Sequence, residues 1–253
     1  MPIGRCVYCG SPKYRTKDDR RLGDEHVIPE ALAGNLILEQ AACETCERRV
    51  NLFEQSILKT VLYAPRVFMG IRRKKRKRGE ETVTVDAKVN GKDIKVRLPV
   101  SRMPAMLFFV TMGPPGLLVA RPADMPAMNG AWIKPFFENG PRFPAGFESM
   151  ASPVLDTFKF MQFLAKIAHC YAVSVLGTEF RPLLPDLILA DPKNPNFSLI
   201  GGEGNSSAAD PTDNLHELGS GWESHLGVEY AVVKIRMFSN LGAPTYRVIA
   251  GIR

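Results

Sequence analysis

At 253 residues the chain has room for one or two domains with a sizeable core, and its 45% hydrophobic and 23% charged content excludes a disordered or fibrous protein. The formal net charge of +7 is unevenly placed: 17 Lys and Arg stand against 10 Asp and Glu through residue 80, and 16 against 16 beyond it. No stretch approaches the roughly 18 uninterrupted apolar residues of a membrane-spanning helix, and MPIGRCVYCG lacks the apolar segment of a secretory signal, so the expectation is a cytoplasmic protein with reduced thiols and no membrane partner.

The first element is a Cys-x-x-Cys, Cys6 and Cys9, followed by the polar stretch SPKYRTKDDRR, expected at the surface. Residues 22–28 read as a short strand ending at His26, because Pro29 favours an extended residue before it. A second short apolar run covers 35–38, and a second Cys-x-x-Cys follows at Cys43 and Cys46. From about residue 42 the apolar positions Val50, Phe53, Ile57 and Val61 recur at three-to-four spacing, which predicts a helix. Glu47 and Asn51, four apart, share a face of it.

The run Arg72, Arg73, Lys74, Lys75, Arg76, Lys77, Arg78 ends in Gly79 and is read as a boundary, giving residues 1–79 as one module and 80–253 as another. Beyond it, ETVTVDAKVNGKDIKVRLPV alternates apolar and polar about Asn90-Gly91, the strongest hairpin signal in the chain. MLFFVTM (106–112) reads as a buried strand, and the Pro- and Gly-rich 113–150 as short strands and loops. Ser152-Pro153 reads as the start of a long, nearly buried helix ending at Gly177. Residues 190–220, rich in Gly, Ser, Asn, Asp and Pro, are expected to form a mobile loop, and 228–238 and 245–253 to be two strands. The fold class expected is α+β, a zinc-stapled unit followed by a mixed domain with one long helix and antiparallel strands.

Two Cys-x-x-Cys pairs suit a closed tetrahedral zinc site of Cys6, Cys9, Cys43 and Cys46, with no open position and therefore a structural role. Between the pairs, Asp24-Glu25-His26 sets a histidine beside carboxylates, the minimum for holding a hard cation and activating water. The segments CVYC (6–9), DEHVIP (24–29), GNLIL (34–38) and CETCE (43–47) resemble the HNH, or ββα-metal, endonucleases whose small fold is held by a four-cysteine zinc. The resemblance covers about the first 60 residues. It implies that His26 is the general base and Glu25 a ligand of a catalytic Mg²⁺ or Mn²⁺. Glu47 stands where the family commonly has Asn, and either Glu47 or Asn51 supplies the other ligand. Asn35 falls near the family's middle Asn, which fixes the histidine loop.

The expected activity is metal-dependent hydrolysis of nucleic-acid phosphodiester bonds, with double-stranded DNA the first substrate by analogy with the family. The cations at 72–78 would grip the phosphate backbone, a contact that weakens steeply with salt. Two other readings stand beside it: a zinc-stabilised nucleic-acid-binding protein without catalysis, and a defence or partner-binding protein whose residues 80–253 control an HNH effector. For that second part, target selection, self-association and a protein partner are all open. His169 reads as a core histidine on the long helix, and Cys170 as a small buried hydrophobe.

Overall fold

The computed structural model describes residues 2–15, 20–71, 82–99, 105–136, 145–150, 154–177, 180–191, 193, 196–203 and 209–253. The basic run at 72–78 and the boundary expected at Gly79 lie outside the described residues. The architecture is mixed α and β with several antiparallel sheets, as the sequence led us to expect.

A hairpin comes first, β1 (Gly23–His26) and β2 (Ile37–Ala42), with Glu25 opposite Leu38 and His26 opposite Ile37. A bulge between Gly23 and Glu25 is closed by Asp24, whose carboxylate accepts the Gln40 N–H at 3.0 Å. The loop joining the strands turns back so tightly that a Cβ at Gly34 would sit 1.9 Å from the Ile28 carbonyl, so only glycine fits there. Helix α1 (Glu44–Lys59) starts directly at the second cysteine pair and buries Cys46, Val50, Phe53, Glu54, Ile57 and Leu58; the short α2 (Tyr63–Phe68) follows.

The next strands are β3 (Thr82–Val89) and β4 (Lys92–Pro99), joined by the expected two-residue turn. Asn90 and Gly91 both take positive φ, 49° and 74°, the twist a tight hairpin needs. β5 (Ala105–Met112) pairs with β6 (Met128–Phe136), and β7 (Phe147–Met150) adds to β3.

Helix α3 (Thr157–Leu176) is the spine. It begins a turn later than Ser152-Pro153 suggests: Asp156 is the cap, accepting the Lys159 N–H at 3.1 Å. Residues 160–170 are buried without a break, the pattern of a helix surrounded on all sides. One side packs on α1, the other on a sheet ordered β10 (His216–His225), β11 (Val228–Met237), β12 (Tyr246–Ile252), β8 (Arg181–Pro182), with β9 (Ile200–Gly202) also on β12 and the short α4 (Pro185–Ile188) against α3.

Here the structure departs from the loop expected at 190–220. HELGSGWESH has weak strand propensity, yet it pairs residue for residue with β11 from His216–Met237 to His225–Val228, so tertiary context decides. One buried core runs from Cys6 and Tyr8 through Phe53 and Leu164 to Ala250, uniting residues on both sides of the expected boundary. Among the described residues, no helix is long and apolar enough to cross a membrane.

Candidate functional site

The four cysteine sulfurs of Cys6, Cys9, Cys43 and Cys46 lie within 4.8 Å of one another, with Cys9 and Cys43 at 3.6 Å. A tetrahedral zinc with bonds of about 2.3 Å needs sulfur–sulfur edges of about 3.8 Å, so the donor set fits that ion. The backbone explains the convergence. The Gly10 N–H closes the first turn on the Cys6 carbonyl at 2.8 Å, and the Glu47 N–H closes the first turn of α1 on the Cys43 carbonyl at 2.9 Å. Hydrogen bonding from Cys46 pulls the Cys6 thiol down to about 4, while burial pushes Cys43 up. Such a cluster readily holds negative charge at one sulfur.

His26 ends β1 half-buried, and its imidazole has no hydrogen-bond partner among the described residues. Glu47 lies in the first turn of α1, over β1. Its Oε2 accepts from the Tyr14 hydroxyl at 2.9 Å, and a Cβ on Gly23 would come within 3.2 Å of the same oxygen. Asn51 and Asn35 are both exposed. Glu25 is only 7% exposed and is turned inward, where its Oε1 lies 2.8 Å from Lys166 Nζ. Among the described residues, no group of three or more His, Cys, Asp or Glu side chains other than the cysteines converges as a metal site. Of the predicted cation ligands, Glu25 is engaged by Lys166 and Glu47 by Tyr14.

Sequence reasoning missed Lys166. This α3 residue is 0% exposed and also lies 2.8 Å from Glu54 Oε1 on α1. Its ammonium donates to the carbonyl of His26 and, at 3.4 Å, to that of Val27. Burial by itself would lower the amine, but the carboxylates of Glu54 and Glu25 reverse this and raise it, so it stays charged. Burial pushes the Glu54 carboxyl up against the pull of Lys166. The signal was present in the sequence: MQFLAKIAHC sets one lysine in a largely apolar helical stretch, and a buried charge requires a partner.

Two more side chains hold the same loop. Arg66 of α2 donates to the Ala31 carbonyl at 2.9 Å, and His216 of β10 to the Leu32 carbonyl at 2.7 Å. The Phe238 N–H donates to the other nitrogen of His216 at 3.2 Å, which fixes its tautomer. The backbone after His26 is thus gripped at four carbonyls by residues from three distant elements.

Helix α3 also grips the first cysteine turn. Tyr8 Oη lies 3.3 Å from Cys170 Sγ, and His169 Nε2 donates to the Val7 carbonyl at 2.8 Å, leaving a buried, unpartnered Nδ1. Burial holds His169 down to about 4. The unfolded chain binds this proton near the ordinary pKa of 6.5 and the folded chain does not, so stability is full above that pH and falls between about 6.5 and 4. The limiting slope for one proton is about 1.4 kcal/mol per pH unit. Urea midpoints for the wild type and His169→Gln across this window should diverge, with the variant losing less stability on acidification; parallel curves would remove the histidine from the acid response.

Beside the sulfurs lies a groove of about 770 Å³ whose lining includes Lys13, Tyr14, Arg15, Glu44 and Arg49. Glu44 pairs with Arg15 at 2.5 Å and with Arg48 at 2.8 Å. The chain matches no protein-family model, no curated protein and no solved structure.

Proposed function

We propose that this chain is an HNH-type nuclease, hydrolysing nucleic-acid phosphodiester bonds with His26 as the general base. One observation carries the reading: a strand–strand–helix unit, tied by four converging sulfurs, ends its first strand on a half-buried histidine whose imidazole is free of partners among the described residues. A structural zinc on Cys6, Cys9, Cys43 and Cys46 would fix the start of α1 to the first cysteine turn. All four of its positions are filled by sulfur, so it would take no part at the substrate.

The chemistry left to the chain is that of His26. A neutral imidazole accepts the proton of a water attacking phosphorus, a step that contributes about 10²–10⁴-fold. Lys166 holds the His26 carbonyl, and Arg66 and His216 hold the loop that follows, so the backbone under the ring is fixed before substrate arrives. The exposed cations around the groove, Lys13, Arg15 and Arg49, and the run at 72–78 suit contacts with phosphate oxygens. The resemblance also implies Mg²⁺ or Mn²⁺ at Glu25. The buried Glu25–Lys166 pair does not fit that role, and no step is derived through it.

Full-length, zinc-loaded protein should nick or linearise plasmid DNA in assays run with and without added Mg²⁺ or Mn²⁺, and His26→Ala should lower the rate at least about 10²-fold. Equal rates in the two proteins would end the assignment of His26. A second reading, a non-cutting nucleic-acid-binding protein, is favoured by the same Glu25–Lys166 pair. Salt-sensitive DNA binding with no cleavage by either protein would select it.

A further inference from the structure

We propose that Lys166 is the fixed cation of this site: its ammonium takes the position that a divalent ion would hold at Glu25, so that Glu25 serves as an internal counter-ion and not as a metal ligand. The argument starts from the surroundings of Nζ. Oxygens of Glu25 and Glu54 stand 2.8 Å away, and the carbonyl oxygens of His26 and Val27 complete the shell. Two carboxylates and two carbonyls are the donor set a hard divalent cation takes. Here one ammonium stands among them, hydrogen-bonded to the two carbonyls and ion-paired with the two carboxylates, while Glu54 Oε1 has no hydrogen bond of its own among the described residues.

The exchange of one cation for the other is blocked by position. Lys166 is fully buried at the centre of α3, between Phe163 and Leu164 on one turn and Ile167 and Cys170 on the next, all of them buried. A divalent ion arriving at Glu25 would have to expel the ammonium, and α3 offers it no route to water. The expelled charge would remain in the core without a partner, which is strongly unfavourable. The lysine also donates to the peptide carbonyl of His26 and so holds the backbone of the proposed base. In this chain the site is therefore completed by a residue 140 positions further along, from outside the strand–strand–helix unit.

The inference rests on the proposed role of the His26 segment, but its test reads metal binding and needs no cleavage. A chain that cuts nothing leaves it standing, and Mn²⁺ at Glu25 removes it without touching His26 as a base. Zinc-loaded full-length protein is titrated with Mn²⁺, and free Mn²⁺ is followed by electron paramagnetic resonance. Glu25→Gln, whose amide oxygen still accepts from the ammonium, is expected to change the Mn²⁺ affinity less than threefold. Lys166→Met, which frees the oxygen shell, is expected to gain one Mn²⁺ per chain and to melt higher when Mn²⁺ is present. Mn²⁺ bound by the wild type and weakened threefold or more in Glu25→Gln would overturn the proposal, as would a folded Lys166→Met that takes up no additional Mn²⁺. Should one variant fail to fold, the other decides by the same criterion.

Discussion

Replacing Cys43 by serine is expected to cost the chain its fold, and not only a bound metal. Cys43 is buried, supplies one of the four sulfurs and immediately precedes α1, so the helix start and the first cysteine turn are joined through it. In small zinc modules the metal contributes an apparent ~10–16 kcal/mol to folding. Whole domains are stable by only ~5–15 kcal/mol, so losing even part of that contribution is decisive. The core is continuous from the cysteines to the C-terminal strand β12, so the damage is not confined to one end. Thermal melts with bound zinc counted per chain provide the measurement. Cys43→Ser, and wild type held in strong chelator, should both lose the cooperative transition near the wild-type midpoint. An unchanged melt in either would show that the four sulfurs hold no metal on which the fold depends.

The second large effect concerns a chain stopped after Gly79, which is expected not to fold. Val27, Leu32, Phe53, Ile57 and Leu62 are at most 2% exposed and belong to the cluster that α3 and the C-terminal strands complete. Removing their cover returns each to water at about 1.5–3 kcal/mol per large side chain. Loss of Lys166 also takes away the cation shared by Glu25 and Glu54, leaving two neighbouring acids that repel each other. Solubility and the dispersion of an amide spectrum test it. A soluble fragment 1–79 with a dispersed spectrum and a cooperative melt would establish the N-terminal unit as independent after all.

The sequence made local features legible and left the cross-chain ones hidden, for a physical reason. Asn90-Gly91, the strands at 106–112 and 228–238, and the helix after Cys43 are each specified by neighbours within a few residues, and each stands where its pattern put it. The convergence of four cysteines was readable because spacing within each pair constrains the turn. Strand β10 was not, since Gly219, Ser220 and Gly221 carry no strand signal and are held by β11. Glu25 illustrates the same limit at the site. Its place in DEH points to a metal ligand, while its side chain is paired with a lysine whose relevance no motif encodes. The inward Glu54, on the buried stripe with Val50 and Ile57, was the readable hint that α1 faced a charge.

The four carbonyl contacts on residues 26–32 carry a consequence for how the molecule comes into being. Their donors arise from α2, from α3 and from β10, the last of them some 184 positions downstream of the residue it holds. Closing links over such separations is slow, and each waits for its donor to be synthesised. A nascent chain emerging in order therefore carries its histidine on slack backbone until the β10–β11 hairpin is laid down. The ordered form of that segment thus belongs to the finished protein and not to a chain broken off early.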